Sequence, residues 1–393
     1  MTTSLVPPVL YALEVSGVPV SDWPKDVELR QAWGQHDLFF LRIMVGKLRP
    51  YKRLLTAWPD NAPIKITYGR GQGNTSVWYG YINHHELSSQ DDSNIDTIQI
   101  TYVCIGTSKP MNTEVHRAWP STTPTIVAQT LARKYKLRCV VTSTNFKLPF
   151  EMQNESDFSF LNRIAAKVGF NFWVSGGTMY FIDPAVCLSG LSAKFVPQYR
   201  IDKIPIQKDN AKNFRRIKGD NLPGAIISSR QVYGVDQSTG RPFMAQADTS
   251  QSPDITSFNS VRHVTSYEQG KQIINAEQSL NQFWIFATVE VFGYTPLYPG
   301  KAINLQGYAL PDGASGYWIV QNVQHVLAPS GTSDPTMDFY ATRLSIMTNA
   351  TGGIPKLKGV SQVNPEQVSC ILVDHKTWQS SNFSVITDGI VIE

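Results

Sequence analysis

The sequence predicts a mostly β protein in which two β-barrels flank a small α+β domain, and a C-terminal extension follows the second barrel. Strand-like runs fill the first 115 positions and return after position 196. Between them lie two helical patterns with capping residues, each accompanied by short strands. Several strands without a long helix are typical of a barrel or sandwich, so the two outer regions are predicted to be barrels.

The length and composition favour a subunit of an assembly. The chain has 393 residues, which is more than one ordinary domain holds, so roughly two to four domains are expected. Charged residues make up 17 % and aromatic residues 11 % of the chain. Interface centres are poor in Asp, Glu and Lys and rich in aromatic residues, so this composition fits an assembly better than a lone enzyme. The net charge of +4 is too weak to indicate a nucleic-acid or membrane partner.

The first predicted barrel covers residues 1–115. Its strand candidates are YALEVSGVPVS, LFFLRIMV, IKITYG, VWYGYINHHEL and IDTIQITYVCIG. The glycine-rich GRGQG from Gly69 to Gly73 precedes a strand, whereas a dinucleotide-binding fingerprint precedes a helix. This glycine run is therefore predicted to be a hairpin tip.

The α+β insert is assigned to residues 116–195 and begins with a helix. Thr123 is placed to cap that helix, and Pro124 suits its first turn. Its apolar face is predicted to consist of Ile126, Val127, Thr130 and Leu131. A short strand, LRCVVT, is expected to follow.

The second half of the insert is predicted to be a capped helix and a hairpin. Asn154 is expected to cap the helix, with Asp157 three residues later in a capping-box arrangement. Gly169 is expected to end it in the left-handed conformation. NFWVSGGTMYFID is predicted to be a hairpin that turns at Gly176 and Gly177. The apolar stripe of the helix is predicted to be Phe158, Leu161, Ile164, Ala165 and Val168.

Residues 196–349 are predicted to form the second barrel, which carries one helix. Strand candidates are YRIDKIPIQ, FRRIKG, AIISSRQVYGVD, ATVEVFG, KAINLQGYAL, GYWIVQNVQHVL and MDFYATRLSI, while DTSQSPDITSFNS is predicted to be an exposed loop. The helix is expected to start near Ser266 and Gln269. Its apolar side is predicted to be Ile273, Ala276, Leu280 and Trp284.

Residues 350–393 are predicted to be a linker followed by a tail. The tail contains two short strand-like runs, SCILVDH and FSVITDGIVIE. So few residues cannot bury a core of their own. The tail is therefore expected to pack on the body of the protein or on a partner.

The sequence contains no convincing metal-binding pattern. His84 and His85 are adjacent in a predicted strand, so their side chains point to opposite faces and cannot easily share one ion with Glu86. Asp91 and Asp92 lack further oxygen ligands at calcium-binding spacing. The four cysteines are scattered without metal-ligand spacing, which favours reduced thiols: Cys104, Cys139, Cys187 and Cys370.

Catalytic patterns are equally weak. Glu155 and Asp157 resemble a glycosidase pair, but both are predicted to lie in a first helical turn, where carboxylates interact with the helix dipole. His325 has no serine or cysteine nucleophile elbow beside it. Asp374 and His375 are adjacent and give no further indication. The sequence thus predicts no catalytic residue, no cofactor and no metal, and therefore no enzyme.

Membrane insertion is not expected. The N-terminal MTTSLVPPVLYALEVSG lacks a basic region before its apolar residues, and no uninterrupted run of 18 apolar residues occurs. A soluble protein made in the cytoplasm is expected.

The stretch NESDFSFLNRIAAKVGFNFWVSGGTMYFIDP resembles the helical segment of phage baseplate hub proteins, namely the late control gene D family and the hub half of VgrG. ATVEVFGYTPLYPGKAINLQGY, GYWIVQNVQHVL and MDFYATRLSI are similar to the second barrel of those hubs. YALEVSGVPVS with VWYGYINHHEL is more weakly similar to the first barrel. The residues beyond Asn349 lie outside the resemblance.

The resemblance implies two tube-type barrels per chain and a homotrimer that forms a pseudo-sixfold ring. Such a ring would stack on a hexameric tail tube or distal tail protein and hold a trimeric spike or fibre, with DNA only in transit through its lumen. The protein would belong to the virion, at the tail tip or baseplate. Hubs of the VgrG type continue into a needle-shaped β-helix, which this chain lacks, so a separate spike protein is implied.

Two other functions remain open from the sequence. One is a receptor- or glycan-binding tail-tip protein whose aromatic loops contact the host envelope. The other is a cell-wall hydrolase that uses Glu155 or His325. The partner of residues 350–393 also stays open among the spike, the tube and the tape measure protein.

Overall fold

The structure of the chain is a computed structural model that describes residues 9–20, 26–46, 55–70, 75–92, 95–183, 198–201, 211–218, 229–236, 239–246, 256–258, 264–281, 285–293, 297–307, 310, 314–328, 339–348, 368–371, 386–387 and 390–391. The helices include a 3-10 helix Lys109–Asn112, then α1 (Pro124–Lys134), α2 (Asp157–Val168) and α3 (Tyr267–Asn281). The fold is mostly β with few helices, which confirms the predicted class.

The strands, in chain order, are β1 (Val9–Val15), β2 (Val18–Pro19), β3 (Asp26–Ala32), β4 (Leu38–Gly46), β5 (Pro63–Arg70), β6 (Thr75–Asp92), β7 (Ile95–Gly106), β8 (Glu114–Thr122), β9 (Arg138–Thr142), β10 (Leu148–Ser156), β11 (Asn171–Ser175), β12 (Thr178–Ile182), β13 (Gln198–Arg200), β14 (Ala211–Lys218), β15 (Ser229–Val235), β16 (Pro242–Gln246), β17 (Thr256–Phe258), β18 (Ile285–Phe292), β19 (Ala302–Gln306), β20 (Gly316–Ala328), β21 (Phe339–Thr348), β22 (Val368–Ile371), β23 (Ile386–Thr387) and β24 (Ile390–Val391).

One 13-stranded sheet contains strands from both regions that were predicted to be barrels. The first set of strands follows the order β3-β4-β7-β6-β5-β1, with β2 beyond β1. The second set follows the order β14-β18-β21-β20-β19-β13. The two sets are joined because β3 pairs with β20. Among the described strands no closed barrel is detected, and β3 pairs with the other set rather than with β1. The division into two barrel domains and an insert stays a prediction.

Strand β20 is shared between the two sets. Its first part pairs with β19, its second part pairs with β3, and β21 runs along its other side. The change of partner coincides with a register shift between Val320 and Asn322. A bulge of this kind bends a strand and increases its twist. The core of the first set includes Leu327 and Tyr340 from the second set, so the two halves share buried side chains as well as backbone pairing.

The insert packs α1 and α2 on a four-stranded sheet in the order β11-β12-β9-β22. The predicted cap of α1 is confirmed, because the Ile126 backbone N–H donates to Thr123 Oγ1 over 3.2 Å. The predicted apolar face is only partly right, since Ile126 and Thr130 are exposed. The face turned to the core consists of Val127, Ala128, Leu131 and Ala132.

Helix α2 begins two residues later than predicted. Asn154 lies in β10, and the cap is Ser156, whose Oγ accepts a bond from the Ser159 backbone N–H over 3.2 Å. The prediction of Asn154 as cap was wrong because β10 continues to Ser156. Gly169 has a φ of 73°, which confirms the left-handed end. The predicted apolar stripe is buried throughout, at Phe158, Leu161, Ile164, Ala165 and Val168.

The predicted hairpin is confirmed by β11 and β12, which pair antiparallel up to Ser175 and Thr178. Gly176 and Gly177 have φ values of 55° and 75°. Two consecutive residues with positive φ are what a type I′ turn requires, and glycine adopts them without strain.

A smaller unit consists of α3 and the sheet β16-β15-β17. The start of α3 is as predicted, because the Gln269 N–H donates to Ser266 Oγ over 3.2 Å. Ile273 is buried, while the side chains of 276, 280 and 284 lie outside the described residues. The stretch predicted to be an exposed loop contains the short strand β17. Helix α3 also contacts the insert, since Gln269 Nε2 donates to the Lys167 carbonyl over 3.4 Å.

The tail reaches the insert. Strand β22 pairs antiparallel with β9, with Cys370 opposite Val140. Part of the tail therefore packs on the body, one of the two positions expected from the sequence. Within the described residues, no helix has the length and apolar composition needed to span a membrane.

Candidate interaction surfaces

The paired carboxylates of the insert have structural partners. Glu155 Oε1 accepts a bond of 2.6 Å from Arg163 Nε. Asp157 is fully buried, and its Oδ2 accepts bonds of 2.6 Å from Lys134 Nζ and from the Tyr135 hydroxyl. The Asp157 side chain is therefore hydrogen-bonded inside the insert and has no contact with solvent. The two carboxylates thus hold α2 against its neighbours.

His325 is enclosed where the two strand sets meet. Its ring is fully buried, with Nε2 3.3 Å from the Leu297 carbonyl and Nδ1 near the hydroxyls of Thr342 and Tyr340. Burial lowers the pKa of His325 to about 4, so the ring is neutral at physiological pH. The carbonyl requires a donor, so Nε2 carries the hydrogen and Nδ1 accepts. This histidine connects loop and strands and cannot reach a substrate.

The histidines of β6 do not converge. His84 Nε2 lies 3.5 Å from Glu86 Oε1, whereas His85 Nδ1 lies 3.8 Å from Asp60 Oδ1. Over the described part of the chain, no three His, Cys, Asp or Glu side chains are grouped as a metal site would need. The side chains of 91–92, and the whole of 374–375, lie outside the described residues.

A polar joint that the sequence did not indicate connects the first strand set to the insert. The Gly34 N–H donates to the Phe172 carbonyl over 3.0 Å, and the His36 ring stacks on Phe158 with centroids 3.6 Å apart. The next residue, Asp37, is 2 % exposed, and its Oδ2 accepts a bond of 3.0 Å from Gln31 Nε2. Burial raises the pKa of Asp37 to about 7 and lowers that of His36 to about 4.

Two strand ribbons present apolar residues to solvent. In the first, Phe150 pairs with Pro120 and Met152 pairs with Ala118 across β10 and β8. Phe150 and Met152 are 56 % and 51 % exposed. We call these four residues the β8–β10 face.

The second apolar surface belongs to the smaller unit. Tyr233 pairs with Met244 and Val235 pairs with Pro242 across β15 and β16. Tyr233, Val235 and Met244 are all more than one third exposed. We call these four residues the β15–β16 face. Contiguous exposed apolar residues of this kind are typical of protein contact surfaces.

Similarity to known proteins is visible in the structure alone. No family model matches the chain, and no curated protein sequence matches it. The tail protein from Neisseria meningitidis has a similar structure, with a TM-score of 0.59 and 12 % identity over 87 % of this chain and 97 % of the other.

Two further structures are similar over nearly the same length. The prophage MuSo2 43 kDa tail protein from Shewanella oneidensis has a TM-score of 0.58 and 13 % identity, covering 86 % of this chain and 98 % of its own. The c3393 protein of E. coli, a component of the type VI secretion system with structural similarity to T4 tail proteins, has a TM-score of 0.52 and 12 % identity over 90 % and 80 %. At such low identity the likeness concerns the fold, which this chain shares with structural neighbours that are tail proteins.

Proposed function

We propose that the chain is the structural hub of a phage tail tip or baseplate and that it acts as a homotrimer. Each chain supplies one set of seven strands and one of six, so three chains place six similar units around one axis. Such a ring joins a hexameric tail tube to a separate trimeric spike or fibre and leaves a lumen for DNA. The observation that carries this proposal is the pair of strand sets joined through β3 and β20.

The comparisons support the same role. The likeness to tail proteins extends over 86 to 90 % of this chain, so it includes both strand sets and the insert. We therefore infer a virion location at the tail tip, after synthesis in the host cytoplasm, and a role that depends on geometry rather than on catalysis. The tube or distal tail protein and the spike or fibre are the partners that this role requires.

The two apolar faces are the surfaces through which the subunits would contact each other. A head-to-tail ring needs two different surfaces on every copy, one for each neighbour. The β8–β10 face lies on the insert and the β15–β16 face lies on the smaller unit, and both expose aromatic and aliphatic side chains. We propose that the β8–β10 face of one copy packs against the β15–β16 face of the next.

The test is the mass of the purified protein in solution, measured by light scattering and mass photometry. A hub gives three times the chain mass of 43.9 kDa and ring-shaped particles in electron micrographs. Met152→Asp and Tyr233→Asp, which place a charge in either face, are expected to shift the protein to monomers. Val18→Asp is the matched control, since Val18 is 65 % exposed on β2, outside both faces.

The possible outcomes distinguish the trimer, the two contact faces and the receptor-binding alternative. A strict monomer at every concentration would overturn the trimer. Trimers that survive both charged variants would overturn the two faces and leave the trimer standing. If the wild-type protein instead decorates host cells in the absence of other tail proteins, the receptor- or glycan-binding function replaces the hub.

A further inference from the structure

The joint between the first strand set and the insert is built around a buried carboxyl group. Asp37 directly precedes β4, and its Oδ2 accepts the bond of 3.0 Å from Gln31 Nε2. The same amide group of Gln31 also donates to Ser175 Oγ, at the end of β11 in the insert. Gln31 therefore connects the carboxyl of Asp37 to the insert.

The surroundings of Asp37 suit a carboxyl group that keeps its proton. Its Oδ1 is buried without a hydrogen-bond partner, and no lysine or arginine of the described residues forms an ion pair with it. A charged carboxylate in such a place would lose its hydration without compensation, and a neutral carboxyl group loses much less. Burial accordingly raises the pKa of Asp37 to about 7, although the bond from Gln31 acts in the opposite direction.

The other titratable groups that face Asp37 do not change charge between pH 6 and pH 8. Burial raises the pKa of Tyr68 on β5 and of Tyr180 on β12, and it lowers the pKa of the adjacent His36 to about 4. All three therefore stay neutral in this range. The remaining residues packed on Asp37, from β3, β6, the end of β7 and the turn of the insert, are uncharged: Gln31, Trp78, Gly106, Ser175 and Gly176.

The two sides of the joint have separate cores. The core cluster of the insert and that of the first strand set have no residue in common. Besides the Gln31 bond to Ser175, the contacts across the joint include the Gly34 N–H bond to the Phe172 carbonyl and the stack of the His36 ring on Phe158. Contacts of this kind can separate in a local opening that leaves the core on each side folded.

From this arrangement we propose that the joint is a pH-sensitive hinge, in which loss of the Asp37 proton favours an open form where the insert is released from the first strand set. In the open form water hydrates the carboxylate, and both sides keep their cores. The hinge requires only one chain, so it is independent of the trimer proposal.

The size of the effect follows from the two protonation equilibria. The carboxyl group has its ordinary pKa of 3.8 when hydrated in the open form and a pKa of about 7 in the closed form. The closed form is therefore favoured at low pH, and this preference is lost as the pH rises through 7. Between pH 6 and pH 8 the ratio of open to closed molecules should rise about tenfold, with most of the rise below pH 7.

The experiment is hydrogen–deuterium exchange of the full-length protein at pH 6 and pH 8, measured by mass spectrometry. Labelling times are scaled to the chemical exchange rate at each pH, so that the remaining difference reports the opening of the structure. The peptide that contains Gly34 should lose about tenfold of its protection at pH 8. A peptide from the interior of α2 should keep its protection, because the insert stays folded.

Two variants identify the group that titrates. In Asp37→Asn, whose side chain carries no charge, the Gly34 peptide should have the same protection at both pH values. Glu86→Gln is the matched control, since it removes an exposed carboxylate on β6 outside the joint, and it should behave like the wild type.

Three results would overturn the hinge. The first is equal protection of the Gly34 peptide at both pH values in the wild-type protein, a comparison that needs no variant. The second is a loss of protection at pH 8 that persists in Asp37→Asn, because another group would then control the opening. The third is an equal loss of protection in α2, which would mean that the insert unfolds as a whole.

Discussion

Replacing the buried Asp37 by asparagine should change how the stability of the protein depends on pH. Asp37 lies in the joint between the first strand set and the insert, with Gln31 as its hydrogen-bond donor. Asparagine has the same shape, can accept the same bond and carries no charge. Asp37→Asn therefore removes the titration of this carboxyl and leaves the packing in place.

The sign follows from the direction of the pKa shift. Burial raises the folded-state pKa of Asp37 from 3.8 to about 7, so the native protein retains a proton that the unfolded chain has lost. The resulting stabilisation is present at low pH and is lost as the pH rises through 7. Between pH 5.5 and 8.5 this single group should cost the wild type about 2 kcal/mol relative to Asp37→Asn.

Other titrating groups near the joint do not obscure this difference. Burial lowers the pKa of His36 and of His325 to about 4, so both histidines favour folding as the pH rises, in the opposite direction. They are present in both proteins and cancel when one curve is subtracted from the other. Burial raises the pKa values of Tyr68 and Tyr180, which keeps them neutral over this range.

The measurement is urea unfolding of both proteins at half-unit steps from pH 5.5 to 8.5. The difference in free energy of unfolding should grow in favour of Asp37→Asn up to about pH 7 and level off above it. A flat difference for Asp37→Asn would refute the reasoning, because it would mean that Asp37 is as well solvated in the folded protein as in the unfolded chain.

Three further changes test the local structure through the same urea assay. Ser156→Ala should lower the free energy of unfolding by about 1 kcal/mol because it removes the cap of α2, whereas Asn154→Ala should change it little. A larger loss for Asn154→Ala than for Ser156→Ala would mean that Asn154 is the cap after all. Leu161→Ala should lower the free energy of unfolding by about 2 to 5 kcal/mol because Leu161 is fully buried. If this variant lost assembly but kept its stability, the apolar stripe of α2 would be an interface between subunits. Gly293→Ala should lower the free energy of unfolding by about 1 to 3 kcal/mol, since a Cβ there would lie 2.2 Å from Tyr340 Cγ. An unchanged urea midpoint would show that the Tyr340 ring moves aside without cost.

Features set by neighbouring residues could be predicted from the sequence. The cap at Thr123, the turn at Gly176 and Gly177, and the buried stripe of α2 depend on side chains within a few positions of one another. The cap of α2 was predicted two residues too early, at Asn154, because β10 leads directly into the helix. A local sequence pattern does not show at which residue one element ends and the next begins.

The joining of the two strand sets could not be predicted in this way. Strand β3, DVELRQA, has three charged residues among seven, so its sequence does not predict a strand that packs on a core. Its partner β20 lies almost 300 residues further along the chain. Such long-range pairing depends on the whole fold rather than on the composition of either strand. The joint at Asp37 has the same origin, because its partner residues come from elements far apart in the sequence.

Strand β10 shows why an unexpected pattern can itself indicate a contact. Its polar residues face inward, where Glu151 accepts bonds from Arg163 and Lys167, and Gln153 accepts one from Trp119. Leu148 is buried, but Phe150 and Met152 face outward on the β8–β10 face, the reverse of the usual arrangement for a strand that covers a core. Burying one such side chain is worth about 1.5 to 3 kcal/mol, and a lone chain forgoes that free energy in solvent. Folding of one chain gives no reason to expose Phe150 and Met152, whereas the proposed packing against a neighbouring copy does. The β8–β10 face is therefore the first surface to change when assembly is tested.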